Sequence, residues 1–563
     1  MADLKPHPGL TLTELAKRLG LKALGSEPAL DGEPALGGEP ALGGEPALGG
    51  EPALESEPAL KGEPALGGDL ALEGEPALGS DLWLSGLTED SRLVTPGDLF
   101  AAIEGLGVNG RDYIEKALKA GAKAVILTEP DIPCGPRIVA PQKEGFRAIV
   151  NQAAQEIYQP LAQNLELIGL TGTNGKSTIS YLLEAILKAH NLKTGVMGTI
   201  EYRWPGAVRE APNTTPEGPL LWRTLAEMAK DNCQTVIMEV SSHALELGRV
   251  KGLTFAYGLF TNLTQDHLDF HGDLASYFKA KKKLFFEFLK DDKAVRAVIG
   301  VNDPKGQELL KELGDRALGY GFTSSAKVRG TNIQKSLTGL KLTIETPWGS
   351  WDQESPLIGD YNAENLLGAA ALAGLKGVPV SAIKEALSKA IGAPGRLEKV
   401  PSPKGTLVLV DYAHSPGALK TVLMALKELK PVRLMALFGC GGDRDRLKRP
   451  LMGKAVKDYA QIGILTSDNP RTEDPLAIIQ ETEGGLVGWP RLKAKDLKTA
   501  SYGYAVEPDR KTAINLAINS LNTGDILLIA GKGHEDYQII GREKFPFDDR
   551  KVALAALKAL GGF

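Results

Sequence analysis

Between the short apolar run Glu166-Leu167-Ile168-Gly169-Leu170 and a helical pattern from Thr178 to Leu187 stands Gly172-Thr173-Asn174-Gly175-Lys176-Ser177-Thr178. A strand, a glycine-bearing loop and a helix in that order leave few folds open. The glycines let backbone N–H groups close round a phosphate, and the helix N-terminus adds positive potential. Lys176 supplies a point charge, and Ser177 offers a hydroxyl to Mg²⁺. The usual spacing places a further glycine where this chain has Leu170, so the loop is a variant, T-G-T-N-G-K-S-T.

Such a loop belongs at the carboxyl edge of a parallel sheet covered by helices. The apolar runs Thr235–Val240 and Tyr257–Thr261 read as further buried strands of that sheet. Past Gly392-Ala393-Pro394-Gly395, the runs Thr406–Val410, Leu434–Phe438, Ile462–Thr466 and Ile526–Ala530 read as strands separated by helical stretches. Ahead of the loop, Thr11–Leu19 and Tyr113–Ala120 have helical spacing, Asp98–Ile103 and Ala124–Leu127 read as strands, and Gln142–Tyr158 reads as a closing helix. A chain of 563 residues is too long for one core. The expectation is α/β throughout, in three domains: 1–161, a central phosphate-loop domain 162–393, and a doubly wound domain 394–563.

A repeat interrupts the first domain. From Glu27 to Ser80 the hexad E-P-A-L-G-G recurs nine times with variations such as Asp69-Leu70-Ala71-Leu72-Glu73-Gly74. The recurring Leu has the spacing of a hexapeptide β-helix. Proline in nearly every repeat removes a backbone donor, and Gly-Gly raises the entropy cost of order. Composition therefore favours a disordered or loosely extended linker.

The net charge of −5, with no block of Lys and Arg, leaves no electrostatic footprint for DNA or RNA. No apolar run reaches the roughly 18 residues of a membrane span, and Met1–Gly20 lacks the apolar core of a signal peptide. Cys134, Cys233 and Cys440 are scattered, which argues against a disulfide framework or a structural zinc site. The expectation is a cytoplasmic protein.

Further motifs carry chemistry. Asn213-Thr214-Thr215-Pro216 reads as a ligand loop or as a helix cap with proline at the first helical position. Glu239, in Glu239-Val240-Ser241-Ser242-His243, ends an apolar strand, where a carboxylate suits a metal beside a phosphate. Asn262–Gly272 packs Asp266, His267, Asp269 and His271 together, as a capping loop or as a metal or phosphate site. Lys279-Ala280-Lys281-Lys282-Lys283 reads, by charge alone, as the solvated face of a helix.

In order and spacing these segments resemble the Mur ligases, and the C-terminal third adds Asp411-Tyr412-Ala413-His414-Ser415-Pro416, Gly439-Cys440-Gly441-Gly442-Asp443-Arg444-Asp445 and Gly531-Lys532-Gly533-His534-Glu535. The resemblance covers nearly the whole chain except Glu27–Ser80. It implies ATP-dependent amide-bond formation through an acyl phosphate, with ATP on Gly172–Thr178 and Mg²⁺ on Ser177, Glu239 and His267. It also implies Lys281 as a carbamylated metal ligand, with Lys176, Glu239 and His267 as the other catalytic groups. Asn213, Thr214, Thr215, Ser241 and Arg249 match positions that hold a muramoyl dipeptide, and Ser91 a position for its uridine diphosphate. Asn362, Asn365, Arg396, Asp411 and His414 match positions near the nucleotide or the domain junction.

Asp468-Asn469-Pro470-Arg471 is similar to the members that add meso-diaminopimelate. Arg presents a planar fork that pairs bidentately with a carboxylate, whereas an incoming lysine would end in an ammonium. Arg444, Asn469, Arg471, Gly531 and Glu535 are the matching positions for that amino acid. The implied partners are thus a UDP-linked muramoyl dipeptide and diaminopimelate, and the resemblance implies a monomer. Two positions depart from the pattern: Leu247 replaces a common Gln, and Gly417 replaces an acidic residue. Three alternatives stay open at this point. One is a ligase of the same fold for lysine or glutamate. Another is an ATP-hydrolysing switch that forms no bond. The third is a scaffold that binds partners through the repeat.

Overall fold

The structure is a computed structural model that describes residues 10–25, 82–104, 109–132, 134–141, 145–291 and 293–560. The hexad repeat lies outside the described residues. The chain divides into two compact units, Met1–Ile157 and Tyr158–Phe563.

The first unit is built on a sheet in the order Ala23–Leu24, Arg137–Val139, Ala124–Leu127, Asp98–Ala101, Gly86–Thr88. Its neighbours run parallel except at the Ala23–Leu24 edge. Asp98–Ala101 and Ala124–Leu127 are buried at every residue, as parallel strands covered on both faces must be. The expected first helix spans Leu12–Arg18, with Thr11 accepting from Glu14 N at its N-terminus. The stretch at Tyr113–Ala120 splits into a 3₁₀ turn, Gly110–Tyr113, and a short helix, Ile114–Lys119. The closing helix runs Phe146–Ala162, past the Tyr158 end expected from sequence and through Pro160.

The second unit holds two large sheets. The first has eleven strands. Its middle follows the order Thr194–Met197, Thr235–Glu239, Glu166–Thr171, Tyr257–Phe260, Ala297–Gly300, Ala317–Gly321, Val328–Ser336, all parallel. A hairpin of Glu201–Trp204 and Ala207–Glu210 closes one edge. Gly339–Thr346 and Gly349–Ser355 extend the other antiparallel. The strand before the phosphate loop is therefore central, and the chain leaves it in opposite directions on its two sides. That is the switch point at which doubly wound sheets bind ligands. Lys176–Ala189 packs its apolar side on this sheet beside the helix Asp360–Leu375, which is apolar from Leu366 onward, in one core with Ile168, Leu170 and Val196.

The second sheet has the order Glu398–Val400, Leu407–Asp411, Ile526–Ala530, Leu434–Phe438, Ile462–Leu465, Gly503–Val506. It is parallel apart from the Glu398–Val400 edge. Separate apolar clusters cover its two faces. Its motif residues stand at the carboxyl ends of strands, Asp411 as the last strand residue and Cys440, Asp468 and Gly531 just beyond theirs. A last hairpin, Tyr537–Ile540 with Glu543–Pro546, stands beyond that edge. Neither this hairpin nor the Val328–Ser355 ladder carries an apolar run long enough to announce itself in sequence.

Candidate active site

The phosphate loop adopts the backbone its glycines permit. Gly172 has φ 132° and Gly175 φ 93°. A Cβ on Gly172 would lie 1.9 Å from Thr261 Oγ1, and one on Gly175 2.5 Å from Asn365 Oδ1, so the cradle has no room for side chains. The neighbouring strand end is stapled to it. Thr173 N donates to Asn262 O (2.9 Å), Asn174 N to Asn262 Oδ1 (3.0 Å), and Thr264 N to Thr173 Oγ1 (3.1 Å). No side chain caps Lys176–Ala189, which leaves its first N–H groups for an anion. Thr178 is buried in the first turn.

Two lysines converge on one carbonyl. Lys176 Nζ and Lys281 Nζ each donate to Gly172 O at 2.9 Å, and Lys176 Nζ also to Thr173 O at 3.1 Å. Burial pushes the Lys176 ammonium below 10.5, with Glu239 opposing and Arg396 adding to the shift. Burial and then Lys176 drive Lys281 well below 10.5. The basic run is thus not a solvated face throughout: Lys281 is 2% exposed on the helix Leu274–Phe286, its Nζ 4.3 Å from the Tyr277 ring centroid. Only the unprotonated form of a primary amine takes up CO₂ as a carbamate, and burial shifts Lys281 in that direction.

Glu239 ends its strand beside the loop. Its Oε2 accepts from Ser177 Oγ (3.1 Å) and Thr199 Oγ1 (3.0 Å), and its Oε1 from Thr199 N (3.2 Å). A hydroxyl and a carboxylate side by side next to a phosphate cradle fit Mg²⁺, which takes few protein oxygens and completes its shell with phosphate and water. Among the described residues no three His, Cys, Asp or Glu side chains are grouped as metal ligands. His267 adopts φ 52°, half exposed, with its ring 4.9 Å from that of His243 and 6.1 Å from that of Tyr277. The Tyr277 ring therefore has His267 on one side and Lys281 within reach.

The loop after Asn213 is not a helix cap. The following helix is Gly218–Lys230, with Glu217 at its N-cap and Pro219, not Pro216, in its first turn. The loop hangs instead from the strand end that carries Glu239. Thr215 Oγ1 donates to Glu239 O (2.9 Å) and accepts from Ser241 N (3.0 Å), while Thr214 Oγ1 meets Thr199 Oγ1 at 3.1 Å. Tyr202 OH donates to Asn213 O. Arg249 donates through Nη1 to Thr215 O (3.1 Å) and pairs through Nη2 with Glu217 (2.7 Å). It braces this loop from behind. Ser241 Oγ caps its own short helix by accepting from Ala244 N. Leu247 is exposed, and a Cβ on Gly417 would meet nothing within 4 Å. Packing would therefore tolerate the family's usual side chains at both positions.

At the second sheet, Arg396 lies 4.9 Å over the Tyr412 ring. Asp411 accepts from Leu397 N and Ala413 N at 2.8 Å each, and burial raises it against Arg396. His414 Nδ1 is 2.8 Å from Tyr412 O. Asn362 is turned inward: it donates to Ile358 O (2.8 Å) and accepts from Asn365 Nδ2 (3.0 Å), fixing the amide beside Gly175. Arg471, at a left-handed φ of 51°, donates through Nη1 to Gly442 O (2.8 Å). Arg444 is exposed on the adjoining loop, which Asp443 ties to Thr472. A Cβ on Gly442 would strike Pro470 O, and one on Gly531 would lie 2.4 Å from Asp468 Oδ2. Asn469 Nδ2 donates to Glu535 Oε2 at 2.9 Å. Thr199, Thr261, Lys532 and the hairpin from Tyr537 belong to the site although sequence reasoning passed them over. Lys532 alone stood inside a recognised motif. Ser91, in the first unit, is buried in the turn after Gly86–Thr88.

Three family models match: the Mur ligase family catalytic domain over residues 84–168, the Mur ligase middle domain over 170–373, and the glutamate ligase domain over 395–533. The chain is 42% identical over 485 residues to UDP-N-acetylmuramoyl-L-alanyl-D-glutamate--2,6-diaminopimelate ligase of Geobacter metallireducens, covering 85% of this chain and 94% of that protein. The chain belongs to the Mur ligase family. The protein of the same name from Synechococcus elongatus is 42% identical over 482 residues, covering 84% and 94%. A solved structure of a ligase with that name superimposes with a TM-score of 0.58 at 35% identity, over 85% of this chain and 96% of that one.

Proposed function

We propose that this Mur ligase joins meso-diaminopimelate to UDP-N-acetylmuramoyl-L-alanyl-D-glutamate with ATP, forming ADP and phosphate, in peptidoglycan precursor synthesis. One observation carries the choice of amino acid. Arg444, Asn469, Arg471 and Glu535 all lie beyond the carboxyl ends of adjacent strands, two cations and an anion, with Asn469 bonded to Glu535 and Arg471 to Gly442 O. A zwitterion with a second carboxylate matches them, and lysine does not.

The chemistry follows from the arrangement. The side-chain carboxylate of D-Glu attacks the γ-phosphorus of ATP, the bond to the β-phosphate oxygen breaks, and ADP leaves. The amine of diaminopimelate then attacks the acyl carbon, loses a proton and expels phosphate. The first step brings two anions together. Lys176 and the N-terminus of Lys176–Ala189 offset their repulsion. Ser177 and Glu239 would hold one Mg²⁺, and His267 and carbamylated Lys281 a second; the ions would supply neutralisation of the negative charge that builds up in this step. Asn213, Thr214, Thr215 and Ser241 receive the dipeptide portion, with Arg249 bracing them, and Ser91 the uridine diphosphate. Arg396 and Asp411, beside Asn362 and Asn365, meet the nucleotide.

Among the described residues no helix is long and apolar enough to cross a membrane. We place the reaction in the cytoplasm, by a monomer in three domains, 1–161, 162–393 and 394–563. Closure of the third domain on the second shields the acyl phosphate from water. Solution scattering should show compaction when all ligands are bound, and unchanged dimensions would refute closure. The test of the reaction is phosphate release from ATP with the UDP-dipeptide and either meso-diaminopimelate, L-lysine or no amino acid. Release with diaminopimelate alone, with a tripeptide product by mass, is expected. Equal release without an amino acid would overturn the reading.

A further inference from the structure

The floor of the amino-acid site contains a cation that the proposed reaction leaves without a part. Lys532 is 0% exposed. Its Nζ donates to Glu535 Oε2 (3.0 Å) and to Asn469 Oδ1 (3.1 Å), and lies 5.5 Å from the Tyr537 ring centroid. A buried ammonium is costly unless its partners are fixed. Here they are fixed from several sides. Asn469 Oδ1 also accepts from Ile539 N at 3.0 Å, so two donors settle which way the amide faces. Its Nδ2 is thereby turned to Glu535 Oε2, the oxygen that Lys532 also holds. Both donors take the same oxygen. Oε1 accepts no hydrogen bond among the described residues, and the carboxylate is 16% exposed.

We propose that Lys532 is a positioning and specificity residue for the amino-acid substrate, pinning Glu535 by Oε2 so that Oε1 meets the non-reacting ammonium of a diamino dicarboxylate. The inference rests on the proposed reaction. The charges agree with it. Lys532 balances Glu535, so the floor attracts an ammonium through one oriented oxygen without repelling the carboxylates that Arg444 and Arg471 receive. Lys532 is sealed from solvent and does not touch the substrate.

The test is a cycle of two enzymes and two substrates. Wild type and Lys532→Met are assayed with meso-diaminopimelate and with 2-aminopimelate, which keeps the reacting amine and both carboxylates but lacks the second amine. KM for diaminopimelate should rise at least about tenfold in the variant, while KM for 2-aminopimelate shifts less than about twofold, because only one ligand uses Oε1. KM for ATP should not move, and Glu535→Gln should show the same pattern. Equal losses with both amino acids would mean a merely structural lysine and overturn the inference. Wild type inactive with diaminopimelate would instead refute the reaction itself. If Lys532→Met does not fold, Lys532→Gln, which keeps a donor without the charge, enters the same cycle. Failure of both to fold would also make the lysine structural.

Discussion

Lys176 and Lys281 share one carbonyl oxygen, and that makes opposite demands on function and stability. Lys176→Met should lower ATP-dependent product formation by about 10²–10³, the scale of one lost donor at a charged transition state. It should leave the melting temperature of the free enzyme unchanged or higher, because it removes a charge that burial and the nearby Arg396 disfavour. Phosphate release and thermal melting together check this; a large loss of stability would contradict it. Lys281 gives a pH signature. Its folded pKa lies well below the ordinary 10.5. Between the two values the unfolded chain binds a proton that the folded chain does not, so stability rises with pH across that interval. Below it, the fold carries the whole cost of the buried charge. Lys281→Met should therefore gain most over wild type at neutral pH in CO₂-free buffer, and the gain should shrink toward pH 10.5. Melting curves across that range decide it, and a gain that grew with pH would reverse the sign. Charge pattern alone read the Lys279–Lys283 run as solvated, since spacing does not say which lysine of a helix faces inward. The same blindness hid Lys532, whose residue type is a poor sign of burial. Gly172–Thr178 was legible because glycine and lysine there answer to one demand, the binding of phosphate.

At the level of elements, parallel strands were legible because burial on both faces writes them as continuous apolar runs. Leu434–Phe438 and Ile526–Ala530 have the bounds expected from sequence, and Thr235–Glu239 differs by one residue. The Gly349–Ser355 strand buries only alternate residues, and the Tyr537–Pro546 hairpin buries almost none, so neither writes such a run. The hairpin nonetheless supports part of the site through its backbone and one side chain. Ile539 N donates to Asn469 Oδ1, Arg471 N to Ile539 O (3.1 Å), and Gln538 Nε2 to Asp468 O (2.6 Å). Replacing Tyr537–Pro546 by a short glycine-serine link should raise KM for the amino acid by about tenfold or more, since several hydrogen bonds of ~1 kcal/mol each are lost. Binding of an ATP analogue should be unaffected. Calorimetric titration of each ligand separates the two, and equal loss of both would show that the hairpin supports the whole unit. A junction variant gives the complementary case. Gly395 has φ +65°, and a Cβ there would lie 2.1 Å from His534 N. Gly395→Ala should move the linker that bears Arg396 against the loop that bears Glu535. KM for ATP and KM for the amino acid should then rise together, in contrast to the hairpin deletion. Steady-state kinetics with each substrate varied in turn tests this, and a change in only one KM would deny that contact its coupling role.

For the whole molecule, the open question is what the hexads from Glu27 to Ser80 contribute. The family models begin at residue 84, and the Geobacter relative is covered over 94% of its length using 85% of this chain. The catalytic plan is therefore met without a segment of this kind. The chain on either side of the repeat is also anchored independently of it. Leu10 and Thr11 pair with Leu84 and Trp83, while Ala23 and Leu24 pair with Ile138 and Arg137. Both ends are held by strand pairing, so the segment joining them closes a loop whose entropy cost depends on its length. Replacing 27–80 by a flexible link of about eight residues shortens that loop severalfold, which favours the fold by about 1–2 kcal/mol if the link spans the gap without strain. The shortened enzyme should melt no lower than wild type, with kcat/KM for all three substrates unchanged within about twofold, as distant and independent changes allow. A selective rise in KM for the UDP-dipeptide would give the repeat a part in substrate capture. Destabilisation would instead mean that the repeat contributes packing that the strand pairing at its two ends does not supply.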